Sequence, residues 1–433
     1  VFASPRNAES SVITALILFF ILAPIASPLD ALWTVLAAFV AVAGKYLIAV
    51  RRKHLFNPAA FSALVLTLLG SGMATWWVAT PALLPATIVF GYLVVRKLRR
   101  FDLWFSFFLA ALVVKMAISL FLGTPVLAGL LSWFISWPVV FFSTLMLTEP
   151  ITMPATKNHR IVYGGIVGSL FSSSLGFAGI YATPHLSLLA GNLYSFFVSS
   201  KGRYRLKLVA SERLSSSLEE YSFEADRKLA FKPGQYMEWT LGHRADARGT
   251  RRYFTISSAP EEALVRIGVR ASSEPSSFKR QLASMARGTM LSASNVAGDF
   301  VLPRDATLPL LWVAGGVGIT PFISMTRSLQ ARGETRDIVL VYLAAEPEAF
   351  AYGSVLAALP SLKSIRIART GKADWNGLTG EVDGERFMEL VPDYAEREVF
   401  ISGPSGMVDT FIRVAHDLAI PSHKLHTDYF PGL

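Results

Sequence analysis

Three glycines, Gly315, Gly316 and Gly318, stand between the apolar run Leu310–Ala314 and Thr320-Pro321. In a strand-to-helix turn, glycine lets the backbone bend tightly and lets a pyrophosphate approach the amides at a helix start. Ser402, Gly403 and Pro404 make a second such turn after the strand-like Glu398–Ser402, with Met407 just beyond. Either turn alone is a weak sign, because any strand-to-helix connection can use glycine. The 433 residues include no cysteine, which excludes disulfides, thiol catalysis and cysteine-ligated iron–sulfur clusters in this chain. No cluster of metal-ligating residues stands out.

The elements around these turns predict two domains. From Tyr204 onward, short alternating segments such as Arg205–Ala210, Gln235–Leu241 and Leu264–Arg270 are separated by Gly, Pro and Asp turns. That pattern predicts a small antiparallel β-barrel over residues 201–305. From Leu308 the order becomes strand, glycine turn, helix, with Ile338–Leu343 as the next strand. This predicts an α/β domain with a parallel sheet over residues 306–433, whose ligands sit at the carboxyl ends of its strands.

The motifs come in a fixed order: Pro233-Gly234-Gln235-Tyr236, then Arg252-Tyr253-Phe254-Thr255-Ile256-Ser257-Ser258, then Glu274–Phe278, then Gly298-Asp299-Phe300. The glycine turn, Ser402-Gly403-Pro404 and a terminal Tyr429-Phe430 follow. Residues 202–433 therefore resemble the ferredoxin–NADP reductase family. The resemblance implies FAD in the barrel and NADH or NADPH in the α/β domain. Arg252 would pair with the FAD phosphate, with Tyr253 beside it. Phe254 would lie against the isoalloxazine, and Thr255 would place its hydroxyl near the flavin N5. Ser258, Ser276 and Ser277 would complete the FAD site. Gly315, Gly316, Gly318, Thr320, Pro321, Gly403, Pro404 and Met407 would hold the nicotinamide nucleotide, with Ser402 beside the reacting ring and Phe430 packing close by. Phe254 stands where the family usually has tyrosine, and Ser402 where it often has cysteine. Arg252 alone reads equally as a solvated strand charge, and the terminal aromatics as domain packing. A nicotinamide gives up a hydride while a flavin can pass electrons on singly, so the protein's task is orientation and electrostatics. Glu346 and Glu348 after the second strand favour NADH, since a free ribose hydroxyl pairs with an acid and a 2′-phosphate wants a base.

The first 200 residues have another character. They hold 12 Lys/Arg against four acids, a net +8, and leave 29 against 27 for the rest. The isoelectric point of 9.7 is therefore no argument for nucleic-acid binding. The chain is 52% hydrophobic, with a mean hydropathy of +0.43. Apolar runs at about 11–27, 30–50, 58–70, 76–95, 103–122, 126–147, 161–180 and 184–199 predict a polytopic helical bundle, with 58–70 and 184–199 short for a span. If all eight cross, Lys45 with Arg51–Lys53, Arg96–Arg100, Lys157 with Arg160, and Lys201–Arg205 lie on one side. The positive-inside rule then predicts a multi-pass protein of the plasma membrane, in contact with its lipid, with the reductase domains cytoplasmic. Lys115, in mid-span, reads either as a functional charge or as a snorkelling lysine.

Leu55-Phe56-Asn57-Pro58-Ala59-Ala60-Phe61, Thr148-Glu149-Pro150-Ile151-Thr152 and Arg160-Ile161-Val162-Tyr163-Gly164-Gly165 resemble signature loops of the NqrB/RnfD membrane subunits. The resemblance implies a second flavin, FMN or riboflavin, in the bundle. Covalent FMN would fall on Thr75 in Ser71-Gly72-Met73-Ala74-Thr75, although this segment has one residue more than the family loop and no preceding acid, so that an ordinary turn is the readier reading. Asn57 and the Thr148–Thr156 loop are candidate contacts for a non-covalent flavin. Haem is not expected: this half has only His54, His159 and His185, too few for two bis-histidine haems. The sequence thus points to a membrane flavoprotein oxidoreductase passing electrons from NAD(P)H through FAD to a quinone or an extracytoplasmic acceptor. A redox-driven transporter using Lys115 and Glu149, and a membrane-docked reductase for a partner protein, are the alternatives.

Overall fold

The computed structural model describes residues 8–50, 53–173, 176–177, 180–199, 202–246, 248–371 and 374–430. The chain forms two compact units, Val1–Ser199 and Ser200–Leu433.

The N-terminal unit is helical. Its main helices are Ala8–Ile21, Pro28–Leu47, Pro58–Leu68, Leu84–Leu98, Phe101–Phe121, Val126–Ser136, Lys157–Ser172 and Pro184–Val198, with a π-helical turn at Phe142–Met146. Each apolar run of the sequence overlaps one of these helices, but the bounds and lengths differ. Among the described residues, Pro28–Leu47 and Phe101–Phe121 are long and apolar enough to cross a membrane; Val126–Ser136 and Val139–Met146 pass the same test only together and are bent by 63° at the break between them. The fourth run begins its helix only at Leu84, because the stretch containing Pro81 and Pro85 is turn up to that point. The seventh helix stops at Ser172, and farther along the same run Gly176–Phe177 and Ile180 are strand.

The unit is apolar outside and fine-grained inside. Pro28–Leu47 buries Ala37, Ala41 and Gly44 while Leu32, Val35, Phe39 and Val42 are exposed. Gly164 and Gly168, a turn apart, press bare backbone against Phe101–Phe121; a Cβ on Gly168 would run into the Phe107 carbonyl. Small residues stand at these helix contacts and large apolar ones face out, so the surface of the unit is apolar. Polar contacts tie the helices together both midway, as where Ser62 Oγ donates to the Ala37 carbonyl at 2.7 Å, and at their ends. One end has the Arg160–Asp102 ion pair at 2.8 Å and the bond from Lys45 Nζ to Ser10 Oγ at 2.8 Å. The other has Thr67 against His185 Nε2 at 3.3 Å.

In the C-terminal unit, six antiparallel strands follow the order Arg251–Thr255, Tyr236–Thr240, Met290–Ala297, Arg203–Arg213, Leu218–Ala225, Leu264–Arg270. The two edge strands close on each other through a bridge between Ile256 and Ile267, which makes the barrel. Tyr221, Phe223, Met237, Trp239 and Phe278 fill it. The second sheet is wholly parallel, in the order Leu378–Thr379, Leu362–Ala368, Ile338–Ala344, Leu310–Gly315, Glu398–Pro404, Leu425–Phe430. Strand order reverses between Leu310–Gly315 and Glu398–Pro404, the switch point where open α/β sheets bind ligands. Both glycine turns emerge there.

Candidate functional site

The barrel side of the site begins at Arg252, in the strand Arg251–Thr255. Its guanidinium is mostly buried and donates to the carbonyls of Arg248 (2.8 Å), Gly249 (3.0 Å) and Arg251 (2.6 Å), and to Asp246 Oδ1 (3.1 Å). It lies over the Phe278 ring at 5.7 Å, while its buried Nε has no partner among the described residues. Phe254, on the same strand face, stands 5.7 Å from Phe278 at 43°. Tyr253 points the other way, exposed, and donates to Glu238 Oε2 at 2.9 Å. Thr255 is buried and in register with Tyr236. The adjoining Gly234 has a φ of +94° and no room for a side chain beside the Phe300 carbonyl, which explains the glycine.

Ser276 caps the helix Ser277–Ala283 by accepting from the Lys279 amide at 3.4 Å. Ser277 exchanges bonds with Asp246: its amide donates to Oδ2 at 3.1 Å, and its Oγ accepts from the Asp246 amide at 3.0 Å. His243 Nε2 lies 3.0 Å from the same Oγ. Burial would raise the Asp246 carboxyl; the Ser277 amide and hydroxyl, the Arg248 amide and the Arg252 guanidinium outweigh it and hold the pKa down at about 2. Lys279 is lowered, first by burial and then by the charges of Arg270, Arg248 and Arg252. Four cations thus crowd the Ser276-Ser277 corner, a charge set that fits the pyrophosphate of FAD. Ser258 is employed otherwise: its Oγ accepts from the Arg266 amide (3.1 Å) and its carbonyl from Ser324 Oγ (2.7 Å).

On the nucleotide side, Leu310–Gly315 runs into a 3₁₀ turn, Gly316–Ile319, and then the helix Thr320–Arg332, with Pro321 in its first turn. Gly316 has a φ of +54°. Gly318 rests on the backbone of Ser402, where a Cβ would collide with the Ser402 carbonyl, and Gly315 and Gly403 pack on Met407, with Pro404 also against Gly315. Thr320 Oγ1 donates to the Val317 carbonyl at 3.0 Å. Ser402 is fully buried and its Oγ has no partner among the described residues. Side by side, the two turns leave backbone within reach of a dinucleotide and one unsatisfied hydroxyl beneath it, which fits NADH or NADPH. The backbone of Phe430 pairs with Pro404; the side chains of Tyr429 and Phe430 lie outside what the structure describes.

Sequence reading missed Glu220, Asp246, His243, Arg327 and Tyr352. Asp246 lies in a turn-rich stretch with no motif, and Glu220 and Arg327 carry no signal until the barrel and the helix are docked.

In the N-terminal unit, Asn57 is the N-cap of Pro58–Leu68. Its Oδ1 accepts from the Ala60 amide (3.0 Å), Nδ2 donates to Glu149 Oε2 (2.8 Å), and its own amide donates to Asn192 Oδ1 (2.9 Å). Thr152 donates to the same Glu149 oxygen at 2.9 Å. Thr75 is exposed in the segment between Pro58–Leu68 and Leu84–Leu98. Lys115 is half-buried in Phe101–Phe121. His185 stacks on Trp76 at 6.4 Å, and His185 Nδ1 and Trp76 Nε1 are buried without partners among the described residues. The side chain of His54 lies outside what the structure describes.

Residues 312–412 match the oxidoreductase NAD-binding domain family. The chain is 30% identical over 209 residues to an NADPH oxidoreductase of Mycobacterium tuberculosis, covering 46% of this chain and 52% of that protein. It is 26% identical over 279 residues to a flavohemoprotein of Bacillus anthracis, covering 58% and 67%. A flavohemoglobin of Malassezia yamatoensis solved with FAD and heme aligns at a TM-score of 0.49 and 18% identity, over 71% of this chain and 87% of that one. The chain thus spans about half the length of the first of these relatives. Fold, site and family match together define an FAD- and NAD(P)-binding, ferredoxin reductase-like oxidoreductase module in the C-terminal unit.

Proposed function

We propose that the chain is a membrane flavoprotein oxidoreductase in which NAD(P)H gives a hydride to FAD in the C-terminal unit and the electrons leave through an NqrB/RnfD-like N-terminal unit. The observation that carries this reading is the joint one: a barrel corner with four cations beside Phe254 and Thr255, and a switch-point glycine turn, in a chain whose other unit turns its large apolar side chains outward. Bound FAD and nicotinamide supply the hydride and single-electron chemistry. The protein's part is to neutralise phosphate charge with Arg252, Arg248, Arg270 and Lys279, to offer the Thr255 hydroxyl at the reacting edge, and to seat the dinucleotide on Gly315–Gly318.

The reductase domains face the cytoplasm, because the loops at one end of the helices hold the basic residues. NADH is the donor, as Glu346 follows the second strand and its carboxylate accepts from Ser216. The acceptor is a quinone, or a species outside the membrane. An outside acceptor requires a second flavin as carrier, since about 30 Å of hydrocarbon is too far for one hop; Thr75, exposed, is its candidate attachment point. The test is a flavin inventory of the purified, detergent-solubilised chain after acid denaturation. One FAD released per chain supports quinone reduction, and a further FMN retained on the polypeptide and lost in Thr75→Val supports the outside route. A chain purified with saturating FAD that holds none contradicts the proposal.

A further inference from the structure

The barrel and the nucleotide domain meet at a buried carboxylate. Glu220 lies on the strand Leu218–Ala225, whose opposite face sends Tyr221 and Phe223 into the barrel core. Its two oxygens take Arg327 in a fork (Nη1 to Oε1 3.1 Å, Nη2 to Oε2 3.2 Å), and Oε1 also accepts from Ser257 Oγ (3.0 Å) and Tyr352 OH (3.0 Å). Arg327 Nη1 donates as well to the Ser257 carbonyl at 3.0 Å. The side chains of the pair are only 10% and 8% exposed. Directly across the ladder from Glu220 is Gly268. A Cβ there would stand 2.6 Å from Thr320 Cγ2 and 2.7 Å from Tyr352 OH, so the bare glycine is what admits both groups. Farther along the same helix, Ser324 Oγ donates to the Ser258 carbonyl (2.7 Å) and Ser328 Oγ to Glu261 Oε2 (2.9 Å).

This clasp grips both halves of the site. Ser257 lies two residues beyond Thr255, and Arg327 lies on the helix that Thr320 opens at the end of the glycine turn. We propose that Glu220, with Gly268 opposite it, is a positioning device that fixes the separation and tilt of the nicotinamide against the flavin. The inference rests on the hydride-transfer reading above. Glu220 acts through Thr255 and Thr320 and touches neither ring. Its leverage comes from the steep distance dependence of the step, since displacement by about 1 Å costs on the order of a hundredfold in rate.

The test is rapid mixing of NADH with the purified full-length protein and its Gly268→Ala, Tyr352→Phe and Glu220→Gln variants, all loaded with FAD. The clasp predicts full FAD occupancy and NADH half-saturation near wild type in each. It predicts flavin reduction slowed by about tenfold to a hundredfold in Gly268→Ala and Glu220→Gln, less in Tyr352→Phe, with a weakened long-wavelength nicotinamide–flavin charge-transfer band. Should Glu220→Gln fail to fold, Gly268→Ala and Tyr352→Phe decide, because both keep the ion pair. Wild-type rates in these variants, or slowing accounted for by lost FAD or weakened NADH binding, overturn the clasp alone. A wild-type flavin that neither NADH nor NADPH reduces overturns the function and the clasp with it.

Discussion

Arg252 shows how a residue's neighbours decide its employment. Its guanidinium is wrapped by the carbonyls of Arg248, Gly249 and Arg251 and by Asp246, and Asp246 is itself held by Ser277. The loop, the strand and the helix start are thus one charged unit, and removing the arginine leaves a carboxylate and three carbonyls without their donor. Arg252→Ala is expected to lose nearly all bound FAD, measured as flavin released by acid per chain; full occupancy would contradict the assignment. Asp246 gives a pH signature. Its folded pKa of about 2 lies below the ordinary carboxylate value of 3.8, so its contribution to stability is complete above that value and is lost as the pH falls toward 2. Thermal unfolding of wild type and Asp246→Asn should therefore differ at neutral pH and converge between about pH 4 and pH 2; a constant gap would show that the carboxyl is not held down.

At the scale of elements, the helix Thr320–Arg332 does most to organise the site, since one end meets the glycine turn and the rest docks on the barrel. Arg327→Met leaves Glu220 buried without its countercharge, a loss expected to cost about 3–5 kcal/mol. A lowered unfolding temperature in the full-length protein measures it; an unchanged one would mean that Glu220 is solvated or protonated there. The parallel sheet was legible in advance. Ile338–Ala344 and Leu310–Gly315 are continuous apolar runs, as strands buried on both faces must be, and glycine punctuated their ends. The barrel strand Leu218–Ala225 was harder to read. It buries Leu218 and Glu220 against the nucleotide domain on one face and Tyr221 and Phe223 in the barrel on the other, so no simple alternation marks it. In the helical unit the apolar runs located helices but not their ends. Proline before Leu84 and the polar stretch after Ser172 cut two of them short, and hydropathy does not register such backbone effects. Of the candidate site residues, the glycines and Ser402 could be placed because their spacing carries the geometry. Arg252 could be named but not seated, since its partners come from a loop that has no motif.

At the scale of the molecule, the account requires the basic ends of the N-terminal helices and the loop near Thr124 to lie on opposite sides of a membrane. The absence of cysteine makes this directly testable. Thr124→Cys should react with a membrane-impermeant maleimide on intact cells, while Lys157→Cys, also exposed, should react only after the membrane is opened. Equal labelling of both on intact cells would refute the orientation. The most direct test of the central claim is an anaerobic titration of the purified full-length protein with NADH, followed by a quinone. The account predicts that one equivalent of NADH bleaches one bound FAD per chain and that added quinone restores the flavin spectrum. Flavin that stays oxidised with both NADH and NADPH would contradict it.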